Sequence, residues 1–323
     1  MESRSEALKT IGSVFALVAI SLLLLLGLSP LFQPKDTSKE AGMIDASANA
    51  IMAEPAGTID VLFIGDSEAY SSISPLQLWG EHGITSYVCS AAGMRLPYAS
   101  QLLRRATQNQ QPRVVVIETN MLFSIFSIDD LVTKELEGLL PIVRFHDRWK
   151  SFTSENPFDA SEYTWTDDLK GFRISTKVCK EPGANSIRNP RTRSLQVSET
   201  GMLYLSQMVD YCRSIGATPV LMSTPTSLNW NPERQASIQA AADELGVEYI
   251  DLNTEPYKVE INWDEETHDG GDHLNLSGAQ KATARIGEWL SSTFELEDHR
   301  GDASYQRWQT LYESYQAKLE DLS

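Results

Sequence analysis

Two short clusters in the 323-residue chain hold the side chains best suited to covalent chemistry. Ile64-Gly65-Asp66-Ser67 ends an apolar run, and His268-Asp269-Gly270-Gly271-Asp272-His273-Leu274-Asn275 precedes the last long amphipathic stretch of the main body. A serine hydroxyl becomes a nucleophile when a base takes its proton. A histidine can do so near neutral pH, and a carboxylate fixes its tautomer. Ser67 is the candidate nucleophile, and the second cluster offers His268 and His273 as bases and Asp269 and Asp272 as orienting acids. The Gly270-Gly271 pair can take left-handed backbone angles at little steric cost and fold Asp269 back onto the ring. Asp272 lacks that slack and is expected to turn outward or cap the final helix. The same residues also have plain structural uses. Gly, Asp and Ser favour turns, and Asn275 or Ser277 can cap a helix. His268, Asp269, Asp272 and His273 offer imidazole and carboxylate to a cation. No tight ligand spacing such as His-Glu-x-x-His accompanies them, so no metal and no cofactor are expected.

The elements that must position these clusters follow from the hydrophobic pattern. Short runs rich in β-branched residues fall at residues 59–64, 86–89, 114–117, 219–222 and 247–250. Probable helices lie between them at 97–109, 199–215, 232–245 and 277–293. Continuous apolar runs separated by helices predict a parallel sheet covered on both faces, a three-layer α/β domain. Functional groups then collect at the carboxyl ends of the strands, where Ser67 stands. Residues 121–196 break the rhythm and are read as an insertion over that edge. In the tail, 295–323, the spacing of Trp308, Leu311, Tyr312, Tyr315 and Leu319 predicts an amphipathic helix packed on the domain.

Composition sets the compartment and excludes some partners. Hydrophobic residues at 41% exclude global disorder. With 27 Lys+Arg against 44 Asp+Glu, the net charge of −17 repels phosphates, which excludes nucleic acid as a main partner. Residues 11–32 carry no charge and are long enough to span a bilayer, longer than a signal-peptide core. The expected order is a short cytoplasmic head (1–10), a transmembrane helix (11–32), a tether (33–57), a main domain (58–294) and the terminal helix. The domain is expected outside the cytoplasm. That compartment permits a Cys179–Cys212 disulfide, which spacing alone does not establish.

The strand-end Gly-Asp-Ser together with an Asp and His-Leu-Asn before the last helix resembles the SGNH/GDSL hydrolase superfamily over roughly 60–294. The resemblance implies a flavodoxin-like α/β/α fold and a Ser–His–Asp mechanism through an acyl-serine, with Ser67 as nucleophile, His273 as base and Asp269 as the orienting acid, Asp272 being the alternative. It also implies an oxyanion hole from the Ser67 N–H, from Gly93 in Ser90-Ala91-Ala92-Gly93, and from Asn120 in Glu118-Thr119-Asn120. The chain departs from the family at two points. Gly270 stands where the family has its aspartate, and the block at Asn120 lacks its glycine and second polar residue. The span and insertion are similar to the membrane-tethered bacterial branch associated with surface-polysaccharide O-acetylation and teichoic-acid D-alanylation. That likeness implies a single-pass esterase or O-acyltransferase of the cell membrane, acting on acyl esters of a cell-surface glycopolymer, with a membrane-bound acyltransferase as a candidate partner. The alternative is a non-catalytic tethered partner of a polymer-modifying complex. Arg144, His146, Arg148 and Trp149 mix cations and aromatics and are candidates to grip a sugar or acyl donor, while Trp165 and Trp230 are candidate aromatic platforms.

Overall fold

A computed structural model describes residues 2–124, 128–151, 159–180 and 195–322. Five strands, β1 (Val61–Gly65), β2 (Ser86–Ser90), β3 (Val114–Glu118), β4 (Thr218–Ser223) and β5 (Glu248–Asp251), form one parallel sheet in the order β2-β1-β3-β4-β5. Side chains alternate between two buried faces. Val61, Phe63, Val88, Val114, Val116, Val220 and Met222 point one way, and Leu62, Ile64, Tyr87, Cys89, Val115, Ile117 and Leu221 the other. Both sets are apolar because both faces are covered.

The helices, in chain order, are α1 (Glu2–Leu28), α2 (Ala46–Asn49), α3 (Ser67–Ser72), α4 (Pro75–His82), α5 (Leu96–Ala106), α6 (Ile128–Leu139), α7 (Pro141–Arg144), α8 (Glu199–Ser214), α9 (Pro232–Leu245), α10 (Leu276–Thr293) and α11 (Gln306–Leu322). Helices α3, α4 and α10 cover the first sheet face through Ala69, Leu78, Ile286 and Leu290. Helices α5, α8 and α9 cover the second through Leu102, Leu205, Met208 and Ile238. The three-layer α/β prediction and all five strands therefore stand. Helices α3 and α4 were not foreseen, because the polar run Ser71-Ser72 and the break at Ser74-Pro75 split them below the length at which periodicity shows. Ser74 caps α4 and Pro75 opens it.

Two expectations need correction. Residues 33–57 are not a free tether. Ala48, Ala50 and Ile51 are wholly buried in the main core, where small side chains let the backbone approach closely. Cys89, Cys179 and Cys212 are all free, with Cys89 inside β2 and Cys212 on α8, so the Cys179–Cys212 disulfide is not formed. The terminal helix behaves as read: α11 buries Trp308 and Tyr315, with the Ser74 hydroxyl donating to the Tyr315 oxygen at 3.1 Å.

One ion pair fastens the packed segment. Lys170 Nζ donates to both oxygens of Glu54 at 2.7 and 2.8 Å, with both side chains shut from solvent. The ammonium also lies 5.1 Å from the Trp308 ring centre, and the Lys170 carbonyl accepts from Val88 N–H on edge strand β2. One residue thereby joins the segment before β1, the insertion, the sheet edge and the terminal helix. Burial disfavours the ammonium and leaves the Lys170 pKa below the ordinary lysine value despite the Glu54 charge. Lys170→Met strands the Glu54 carboxylate in a dry site and should cost about 3–5 kcal/mol in urea unfolding. Adding Glu54→Gln should recover a large part of that loss. Equal destabilisation by the single and double variants would show that the pair is not coupled.

Candidate active site

The strand order places a switch point between β1 and β3, where the chain leaves β1 for opposite sides of the sheet. Such points open a crevice beyond the strand ends. Ser67 begins α3 directly after β1, half-buried at this crevice, and Asn120 lies across from it after β3. Gly65 is required by close approach. A Cβ there would stand 2.5 Å from Glu118 Cβ and 2.8 Å from Ala69 Cβ. Asp66 caps α3 by accepting from Glu68 N–H at 2.9 Å, and its other oxygen accepts from the Asn120 side-chain amide at 2.9 Å. Asn120 is thus at the site with one amide N–H on Asp66. Gly93, in the turn after β2, has φ +61° and faces open space. Its N–H donates to no protein acceptor among the described residues.

The histidine cluster forms a closed loop. A lone antiparallel bridge joins Thr267 to Leu274, and Gly270 and Gly271 have φ +87° and +105°. These left-handed angles fold the chain back so that Asp269 accepts from both His273 groups: the backbone N–H at 2.9 Å and ring Nδ1 at 2.5 Å. Asp272 lies 3.6 Å from the same Nδ1. Burial disfavours the imidazolium. The hydrogen bond to Asp269 and the charges of Asp272, Asp269 and Asp66 outweigh it and hold the His273 pKa above the ordinary histidine value. Burial likewise opposes the Asp269 charge, and the His273 bonds overcome it, holding that carboxyl below its usual range. With Nδ1–H donated to Asp269, the Nε2 lone pair is left to accept a proton. The Ser67 hydroxyl has no hydrogen bond among the described residues, so its bond to His273 is unmade in this conformation. Catalytic contacts of this kind often close only when substrate binds.

Asp272 neither turns outward nor caps the final helix, as had been expected. Asn275 is the cap, accepting from Gly278 N–H at 3.3 Å. Asp272 instead accepts from the Asn229 amide, whose nitrogen also donates to Glu68 at 2.6 Å. Glu68 follows Ser67 and Asp272 precedes His273, so this bridge ties α3 to the histidine loop. Burial, then the charges of Glu118, Asp66 and Asp272, push the Glu68 carboxyl well above its usual range. The loop is braced on its flanks as well: Gly271 O accepts from Ser227 N–H at 3.0 Å, and Cys179 N–H donates to Thr267 O at 2.9 Å. Sequence reasoning missed Glu68, Glu118 and Asn229, which belong to no recognisable spacing. The only available signal was charge at positions adjoining apolar strand ends.

Other residues are placed differently from their readings. Arg144 pairs with Asp45 at 3.3 Å and Glu137 at 3.5 Å and lies 4.0 Å over the Tyr98 ring. Arg148 donates to Ala41 O and Leu31 O. Both guanidinium groups therefore fasten the insertion to the segment before β1 rather than lining the crevice. His146 and Trp149 are exposed beside them. Trp230 Nε1 donates to Asp251 at 2.9 Å and Trp165 packs on the core, which are structural roles. A cavity of about 760 Å³, lined among others by Lys35, Asp36, Arg148 and Glu162, contains none of the serine–histidine groups. For a cation, ligand atoms of His268, Asp269 and His273 lie within 4.8 Å of one another. Their rings stack at 5.5 Å, and two of those ligands already bond each other.

Comparison with known proteins finds no matching family model and no matching curated protein. Solved structures do resemble the chain. A lipase/acylhydrolase from Enterococcus faecalis has 12% identity and a TM-score of 0.40 over 74% of this chain and 98% of its own. A psychrotrophic esterase from Pseudoalteromonas sp. has 11% identity and a TM-score of 0.40 over 72% and 97%. A GDSL-like lipase from Bacteroides thetaiotaomicron has 12% identity and a TM-score of 0.39 over 77% and 96%. These are likenesses of layout, and the chemistry of the site rests on its own residues.

Proposed function

We propose that the chain is an SGNH-type serine esterase or O-acyltransferase, anchored in the cell membrane by its N-terminal helix, with the α/β domain outside the cytoplasm. The observation that carries this reading is the Asp269–His273 pair at the strand-end crevice that also holds Ser67. His273 Nε2 takes the Ser67 proton as Oγ bonds to the ester carbonyl carbon. The carbonyl oxygen becomes an oxyanion held by the Ser67 N–H, the Gly93 N–H and the Asn120 amide. The C–O bond to the leaving alcohol then breaks, and that oxygen receives the proton from His273. Water or a sugar hydroxyl attacks the acyl-serine by the same route in reverse. The acyl group is proposed to be acetyl and the acceptor or donor a cell-surface glycopolymer, a reading supported by the apolar span of Lys9–Phe32, which would hold the domain at the membrane. A second reading, a non-catalytic tethered partner, is favoured by one feature: the unmade Ser67–His273 bond.

Ser67→Ala should abolish hydrolysis of a small acetyl ester while leaving the thermal midpoint nearly unchanged, because the Ser67 hydroxyl makes no hydrogen bond among the described residues. Wild-type protein inert toward small esters supports the scaffold reading. Unchanged turnover in the variant, lost on adding EDTA, supports a cation at His268, Asp269 and His273.

The raised His273 pKa has a definite sign. The base works only when unprotonated, so kcat/KM should climb with pH through a midpoint above the ordinary ~6.5. Asp269→Asn removes the bond that raises it most. The midpoint should fall, and turnover should drop by up to ~10⁴-fold. Asp272→Asn, which keeps that bond, should lower the midpoint less and cost less rate. The reverse ranking in paired pH profiles assigns the orienting role to Asp272.

A further inference from the structure

Helix α6 leaves apolar side chains in solvent. Lys134 and Glu137 are its half-buried polar residues: the Lys134 backbone carbonyl accepts from the Gln101 side chain at 2.8 Å, the Lys134 ammonium pairs with Glu137 at 2.7 Å, and Glu137 meets Arg144 at 3.5 Å. An apolar stripe faces out, flanked by exposed Asp129 and Glu135. Val132, Leu136 and Leu139, spaced to share one helix face, are 54%, 41% and 74% exposed. Trp149, after α7, is 60% exposed. Scattered exposed apolar residues are ordinary, whereas a contiguous outward face on an amphipathic helix marks a contact surface.

Position decides what that surface meets. The apolar span runs 24 residues, Lys9–Phe32, or about 36 Å as helix, longer than a hydrocarbon core of about 30 Å. Its last turn therefore lies in the headgroup layer. Ile142 N–H donates to Ser29 Oγ at 3.1 Å, and Arg148 donates to Leu31 O, so α7 and the residues after it dock on that turn. Leu139 is three residues from Ile142, within about 11 Å along the chain, and Trp149 adjoins Arg148. The exposed apolar side chains thus continue the surface of the span where it leaves the bilayer. A net charge of −17 gives no attraction to anionic lipid, so a contact there must be apolar. Tryptophan at such a level is the usual interfacial anchor.

We propose that the outward face of α6, with Trp149, lies in the interfacial layer of the leaflet from which the span emerges, holding the domain against the membrane rather than on a free stalk. The proposal rests on the reading of the N-terminal helix as a membrane anchor. Full-length chain with Cys179→Ser, reconstituted in phosphatidylcholine nanodiscs, tests it. Leu136→Cys and Trp149→Cys are labelled with an environment-sensitive fluorophore, with Ala240→Cys on α9 as the control. Both sites should be blue-shifted and quenched by doxyl-labelled phosphatidylcholine, and the control should be neither. A chain that co-purifies with discs but shows water-like, unquenched labels at both sites overturns the proposal and leaves the anchor intact. Blue shift without lipid quenching means that a second copy covers the face, which also overturns it. Failure to associate with discs removes the anchor reading itself.

Discussion

The arrangement at the crevice is governed by the crowding of carboxylates where β1 and β3 converge. Asp66, Glu68 and Glu118 are each at most 2% exposed, and Asp272 approaches them from the histidine loop. Like charges so close in a dry site cannot all ionise, and unpaired they would cost several kcal/mol each. The structure answers with donors at fixed places. Asn120 serves Asp66, the Asn120 backbone N–H serves Glu118, and Thr224 and Asn229 serve Glu68. Burial and the neighbouring charges hold the Glu68 carboxyl well above its usual range. The residual cavity among these groups is only about 10 Å³, at the limit for one water.

That network also explains how two segments far apart in sequence act at one place. Ser67 is set by its strand and by the Asp66 cap, both local. His273 is set by a loop whose own closure depends on two left-handed glycines, and whose position depends on Asn229, Ser227 and Cys179. The amide of Asn229 touches acids next to both Ser67 and His273, so one side chain in the loop before α9 links the two segments directly.

The sheet was legible because its strands are unbroken β-branched runs, a signal that survives without tertiary information. The pairing of Asp269 with His273 was legible for a similar reason: Gly-Gly between them leaves few other uses for that spacing. Helices α3 and α4 were hidden by serines and a proline, and residues 33–57 by a composition that reads as linker although Ala46, Ala48 and Ala50 are buried. Arg144 and Arg148 misled because a cation beside aromatics grips a ligand or a neighbouring loop equally well, and only the fold shows Asp45, Glu137 and two backbone carbonyls waiting for them. Glu68 and Asn229 had no pattern at all. Their roles exist only once the carboxyl ends of four strands are brought together.

The central claim is that Ser67 is a nucleophile activated by His273. The most direct measurement is covalent capture with a fluorophosphonate, with the adduct located by peptide mass spectrometry. The account predicts one adduct on the peptide that contains Ser67, formed faster as pH rises through the His273 titration and lost in His273→Ala. An adduct on another serine, no adduct at all, or labelling of Ser67 that is indifferent to His273 would contradict it.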